Sequence, residues 1–175
     1  QQRLKAEYEA FVREAGPSGL SRDGGPEHLT GSCFVLSPDL RQVLLCFHVK
    51  GRFWVQLGGH VEPGDGSLAA AAYREAREES GIDVRPVAPG PTPGVPFDLD
   101  RHALSGSFGS CRVHWDLGFV ALADGDAVPV SSEETESVAW FGVDDLPQQV
   151  PEGFAERLAT VLAELGARRA HAASS

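Results

Sequence analysis

Glu75, Glu78 and Glu79 fall within an arc of about 100° if residues 67–80 form a helix, which puts three carboxylates on one face. Like charges at these spacings repel and destabilise a bare helix. A hard divalent cation would relieve that repulsion, because Mg²⁺ and Mn²⁺ prefer oxygen ligands. A solvated acidic face, with Arg74 and Arg77 as helical ion-pair partners, is the competing reading. The segment in front of the helix, Gly58-Gly59-His60-Val61-Glu62-Pro63-Gly64, favours the metal. Its glycines allow main-chain groups to approach a ligand closely, and Pro63 stiffens the turn.

Other side chains near this loop could meet a phosphorylated substrate. His60 lies inside the loop and could contact a phosphate or cap the loop by hydrogen bonding. Lys50 and Arg52 flank the same edge as candidate phosphate contacts, with plain surface charge as the alternative. Further along, Asp98, Asp100 and His102 alternate, as do Arg112, His114 and Asp116. Period-two spacing puts each set on one strand face. If the two strands pair, the reading is the wet face of an antiparallel pair, or else a recognition surface or auxiliary metal site.

The elements that must position these groups follow from periodicity and punctuation. Leu4, Tyr8, Phe11 and Val12 predict an amphipathic helix ending at Gly16, followed by a Gly/Pro/Ser-rich connector to residue 28. Strands are expected at 29–36, 42–48 and 53–57, the last feeding directly into the glycine loop. The acidic helix has Leu68, Ala72 and Ala76 as its buried stripe and Gly81 as its stop. Residues 85–96 hold five prolines and predict an irregular loop, a candidate pocket wall. Paired strands at 97–102 and 112–123 and a short strand at 137–141 complete the sheet. A last amphipathic helix built on Phe154, Leu158, Val161, Leu162 and Leu165 is expected to end near Gly166, leaving 167–175 as a frayed tail. Strands interleaved with a few helices indicate a mixed α/β or α+β sandwich.

At 175 residues the chain fits one domain, 1–175, with 1–28 as helix and connector. A net charge of −10 argues against broad nucleic-acid binding or an anionic membrane surface. Cys33, Cys46 and Cys111 form no C-x-x-C pair, so buried free thiols are expected rather than a disulfide or zinc scaffold. No apolar run reaches the roughly 18 residues that span a bilayer, and the charged first helix does not read as a signal peptide. We therefore expect a cytoplasmic protein. With no methionine at all, the sequence is expected to lack its initiator. The first helix is expected to pack either within the subunit or across a homodimer interface.

The loop–helix segment resembles the signature of the Nudix hydrolases, G-x5-E-x7-R-E-U-x-E-E-x-G-U, with U a bulky aliphatic residue. Arg74-Glu75, Ala76, Glu78-Glu79, Gly81 and Ile82 match its second half, Ala76 being smaller than the pattern prefers. Gly59 to Arg74 is one residue longer than the pattern, the extra residue falling around Asp65-Gly66, with Asp65 in place of the first glutamate. The resemblance implies an α-β-α sandwich around a mixed sheet. It also implies hydrolysis of the pyrophosphate bond in a nucleoside diphosphate linked to a moiety X. The expected cofactor is Mg²⁺ or Mn²⁺, held by Glu75, Glu78, Glu79 and the Gly59 carbonyl. It leaves the general base open between Glu75 and a later loop glutamate; Glu134, six residues before Trp140, is the candidate for the second. The partner is then a small phosphorylated compound, a nucleotide by family habit. Two other functions compete: a non-catalytic nucleotide-sensing module on the same fold, and isopentenyl diphosphate isomerase. Retention of all three helical glutamates weighs against both.

Overall fold

A computed structural model describes residues 2–49, 51–87, 94–104, 111–130 and 137–174. Its elements in chain order are α1 (Gln2–Ala15), a 3-10 turn (Gly16–Leu20), β1 (Glu27–Leu36), β2 (Gln42–His48), β3 (Phe53–Val55) and β4 (Leu57–His60). Then come α2 (Leu68–Ser80), β5 (Arg85–Pro86), β6 (Asp98–Ala103), β7 (Val113–Leu122), β8 (Val138–Gly142) and α3 (Phe154–Ala173).

β1 is the organising strand. It runs parallel to β7 along its whole length, from Glu27 opposite Val113 to Leu36 opposite Leu122. Its other edge is shared: residues 30–33 pair antiparallel with β4 and the last residues pair with β2. β2 carries β3 and β8, and β7 carries β5 and β6. Residues 28–36 are buried throughout, as befits a central strand covered on both faces.

Alternation along β1 divides two cores. Cys33 and Val35 face α2, where they pack with Ala72, Ala76 and Phe119. Phe34 and Leu36 face α3 and meet Phe154, Leu158, Val161 and Leu165. A helix on each side of a mixed sheet is the α-β-α sandwich the sequence implies. α1 adds a smaller cluster, Tyr8 with Leu29 and Trp115, so it packs on the chain's own sheet. The Tyr8 hydroxyl donates to the Asp116 carbonyl at 2.7 Å and lies 3.0 Å from that of Asp100.

α2 begins where Ser67 accepts from the Ala70 N–H and stops at Gly81, whose φ of +65° is left-handed. It approaches β1 closely: a methyl group added at Gly31 would lie 2.7 Å from the Leu68 carbonyl oxygen. The small Ala76, fully buried, suits that spacing.

Four expectations change. Residues 58–60 are paired strand, not loop. Glu27 and His28 belong to β1 rather than to the connector. Arg85–Pro86 pairs with β7, while 88–93 lie outside the described residues. The last helix passes through Gly166 to Ala173, so 167–173 is not a frayed tail. Arg168 explains the extension, since it pairs with Glu164, donates to the Pro96 carbonyl and stacks over Phe97. No described helix is long and apolar enough to cross a membrane.

Candidate active site

Gly58 and Gly59 sit at the end of β4 because nothing larger fits. A Cβ on Gly58 would lie 2.5 Å from the Ser32 Cα, and one on Gly59 would lie 2.6 Å from the Glu75 Cδ. The absent side chain at Gly59 is the space into which the Glu75 carboxylate packs. The N–H of Gly58 donates to Glu79 Oε2 at 2.9 Å. Strand β4 and helix α2 are thus joined through the two glutamates at the sheet-facing edge of the acidic face.

Arg74 gathers the rest. Its guanidinium contacts Asp65 through Nε and Nη2 at 3.1 and 2.9 Å, and Glu75 and Glu78 through Nη1 at 3.1 and 2.9 Å. It also donates to the His60 carbonyl at 3.0 Å. The Arg74 guanidinium holds the Asp65 carboxyl below the usual carboxylate range. Asp65 accepts the Glu62 N–H as well, so the turn before α2 absorbs the extra residue and Asp65 still reaches Arg74. Arg77 points elsewhere, toward the Tyr73 and Val84 carbonyls, and is not part of this group.

These oxygens suit a hard divalent ion. Three carboxylates from one helix face, with Glu75 seated over a glycine that only an absent Cβ leaves open, could hold Mg²⁺ or Mn²⁺. The Gly59 carbonyl is the main-chain candidate beside them.

The remaining candidates go elsewhere. His60 follows Gly59, so its ring points to the opposite sheet face, against His28 and His114 with centroids 4.9 and 5.3 Å away. Arg52 is exposed in the β2–β3 turn at a φ of +55°. Lys50 and Glu134 lie outside the described residues.

The alternating polar set does pair, Asp100 opposite Asp116 and His102 opposite His114, but it is a wet face only in part, with Arg112 exposed and His102 half-exposed. Asp98 and Asp116 are buried because α3 and β1 cover them. Arg157 of α3 donates to Asp98 and, at 2.9 Å, to Asp100. Thr30 and Ser32 of β1 donate to Asp116. Burial raises the Asp116 pKa despite those hydroxyls. For Asp100 burial also opposes ionisation, but the His102 hydrogen bond and the Arg157 charge outweigh it and the pKa falls. Beside them, burial followed by the neighbouring imidazoles pushes His60 down to about 4 and His114 to about 3. His28 and Cys111 join this group without being among the site residues that spacing alone singles out. The alternation His28-x-Thr30-x-Ser32 and the spacing Cys111-x2-His114 were the available signals.

A model of the NUDIX domain matches residues 26–165, which spans β1 to α3 and includes the whole glutamate cluster. The chain belongs to the NUDIX domain family. The chain is 39% identical over 92 residues to the NAD-capped RNA hydrolase NudC of Stutzerimonas stutzeri, covering 52% of this chain but 28% of that protein. The chain thus spans under a third of that relative's length. It is 29% identical over 134 residues to the isopentenyl-diphosphate Delta-isomerase of Kocuria rhizophila, covering 74% of this chain and 70% of that one. Among solved structures, a NUDIX family hydrolase from Clostridium perfringens superposes with a TM-score of 0.66 at 23% identity, over 79% of this chain and 97% of that one. That likeness is one of fold. The cleft between α1 and the sheet, about 410 Å³ and lined by Leu29, Leu68, Leu99 and Leu117, contains none of the candidate residues of this NUDIX domain.

Proposed function

We propose that this NUDIX domain hydrolyses a pyrophosphate bond in a nucleoside diphosphate linked to a second group, with a divalent cation held by Glu75, Glu78, Glu79 and the Gly59 carbonyl. The observation that carries this reading is the seating of Glu75 against Gly59 while Glu79 accepts from Gly58, which brings two carboxylates to one strand, β4. The cation, Mg²⁺ or Mn²⁺, would neutralise phosphate charge and acidify a bound water. Arg74 keeps Glu75 and Glu78 from being left as unpaired like charges and orients them through Nη1. Glu75 and Glu134 both stand as general base, the first by its place in the cluster and the second by its spacing from Trp140.

For the substrate we favour a dinucleotide pyrophosphate of the NAD type. The similarity to two NudC proteins, each 39% identical over about half of this chain, supports that choice. The net charge of −10 favours a compact dinucleotide over extended contact with RNA phosphates. An isomerase would need a reactive thiol. Of the two candidate thiols, Cys46 is buried and burial pushes it up, which disfavours the thiolate, and Cys111 is buried beside His28, His60 and His114, on the sheet face away from the glutamates.

The test is incubation with Mg²⁺ or Mn²⁺ and a panel of NAD, ADP-ribose, dinucleoside polyphosphates and isopentenyl diphosphate. Products are separated by chromatography. Mononucleotides from NAD are expected. Allylic diphosphate without hydrolysis, or tight nucleotide binding with no product, would overturn the reading.

A further inference from the structure

On the sheet face away from the glutamates, four side chains from three strands converge. His28 comes from β1, His60 from β4, and Cys111 and His114 from the start of β7 and the residues just before it. One potential ligand atom from each lies within 4.8 Å of all the others. The backbone register makes this meeting point rigid. His28 and His114 are direct partners across the parallel β1–β7 pair, and His60 sits opposite Thr30 on the other side of β1.

The cluster is short of hydrogen bonds. Both ring nitrogens of His28, and Nε2 of His60 and of His114, are shielded from solvent with no hydrogen-bond partner. Leaving a buried polar atom unpaired costs about 1–3 kcal/mol, so an unpaired nitrogen from each of three rings in one place calls for a common partner. Neutral imidazoles can pair N–H to N, but these nitrogens face one another without a hydrogen bond among them. Cys111 is free and buried in the same spot.

We propose that His28, His60, Cys111 and His114 form a four-coordinate site for a transition-metal ion of the Zn²⁺ class, separate from the carboxylate cluster across the sheet. Three nitrogens and a sulfur are the donors such an ion selects, and Mg²⁺ does not. With Zn–N near 2.0–2.1 Å and Zn–S near 2.3 Å, tetrahedral donors stand about 3.3–3.7 Å apart, so the cluster closes by about an ångström on binding. Binding forms the metal–sulfur bond and releases the Cys111 proton to solvent. His102, held by Asp100 at 2.9 Å, packs edge-on against His114 with ring centroids 5.5 Å apart. Its role is structural. All four donors come from the protein, and His60 is the residue after Gly59, so the ion pins the strand that presents the Gly59 carbonyl to α2.

The proposal does not depend on the hydrolase reading, and its test uses no substrate. The chelator-stripped chain is titrated with Co²⁺ in excess Mg²⁺ and its absorption recorded. Stoichiometric growth of the intense visible bands of tetrahedral Co²⁺, with a thiolate-to-cobalt charge-transfer band in the near ultraviolet, is expected. Zn²⁺ should bleach both. Cys111→Ser should lose the charge-transfer band, and His114→Gln should lose the tetrahedral bands, whereas Glu79→Gln keeps both. Weak octahedral absorption only in the wild-type chain would overturn the proposal, whatever the variants do. So would tetrahedral bands that survive both Cys111→Ser and His114→Gln.

Discussion

Gly59 and His60 are neighbours in β4, yet they serve opposite faces of the sheet. Toward α2, Gly59 makes room for a carboxylate among groups whose contacts are filled: Arg74 bridges Asp65, Glu75 and Glu78, and Gly58 holds Glu79. Toward the other face, His60 joins imidazoles whose nitrogens are left without partners. The first region is crowded with charge, adjustable and partly open to water, with Glu78 59% exposed. The second is neutral and unsatisfied, with His28 fully buried and His60 and His114 half-buried. Hard oxygen donors at a half-open edge suit exchangeable cations and a substrate; soft and borderline donors converging on one point suit a resident ion.

The comparison can be broken most sharply at Glu79. Glu79→Gln should lower pyrophosphohydrolase turnover by roughly 10²–10³-fold while circular dichroism and melting temperature stay near wild type. Turnover within a few-fold of wild type would remove the glutamate cluster from the chemistry.

Gly59→Ala comes next. The new methyl must displace the Glu75 carboxylate, and a displacement of about 1 Å costs about 100-fold in rate. Steady-state kinetics across Mg²⁺ concentrations should show the loss mainly in kcat, and an unchanged kcat would mean Glu75 is not held where it acts.

Arg74→Met tests whether one cation keeps the acidic region together. Because the side chain is 22% exposed, the expected loss is about 1–2 kcal/mol in urea unfolding, partly restored by millimolar Mg²⁺. A loss insensitive to Mg²⁺ would place the effect in packing rather than charge.

Acid should separate the two regions with the gentlest effect. In the metal-free chain His60 and His114 titrate near 4 and 3, whereas unfolded imidazoles titrate near 6.5. Between those values the unfolded chain binds more protons, so stability is full above about 6.5 and falls as the pH drops toward about 4. Thermal melts of wild type and a His60→Gln, His114→Gln variant should differ in slope across that window. Parallel pH profiles would show that the imidazoles are not held neutral by burial.

Much of the glutamate region is visible in the sequence because it is local. Ser67, the three glutamates and Gly81 lie within one helix and its caps, where spacing alone sets the geometry. The match at Glu75–Ile82 has the same origin. The extra residue near Asp65 could not be judged that way, since only the folded turn shows Asp65 still reaching Arg74. The alternation of Asp98, Asp100 and His102 against His114 and Asp116 also predicts a pair, correctly. It says nothing of Arg157, which lies 59 residues beyond Asp98 and covers the Asp98 end of that face. Likewise the strand content of 58–60 depends on β1 accepting β4 beside it, which a run of glycines does not announce.

By itself, then, the sequence determined the family, the order of helices and strands, and the acidic helix with its glycine stop, because each depends on residues a few positions apart. The tertiary structure alone decided that His28, His60, Cys111 and His114 share one buried point. Those residues span 86 positions and meet through strand register, whereas local composition places His28 in a connector and Cys111 among buried free thiols. Long-range pairing is the step that local propensity and spacing do not encode, because a one-residue shift in β4 would exchange His60 for Gly59 on that face.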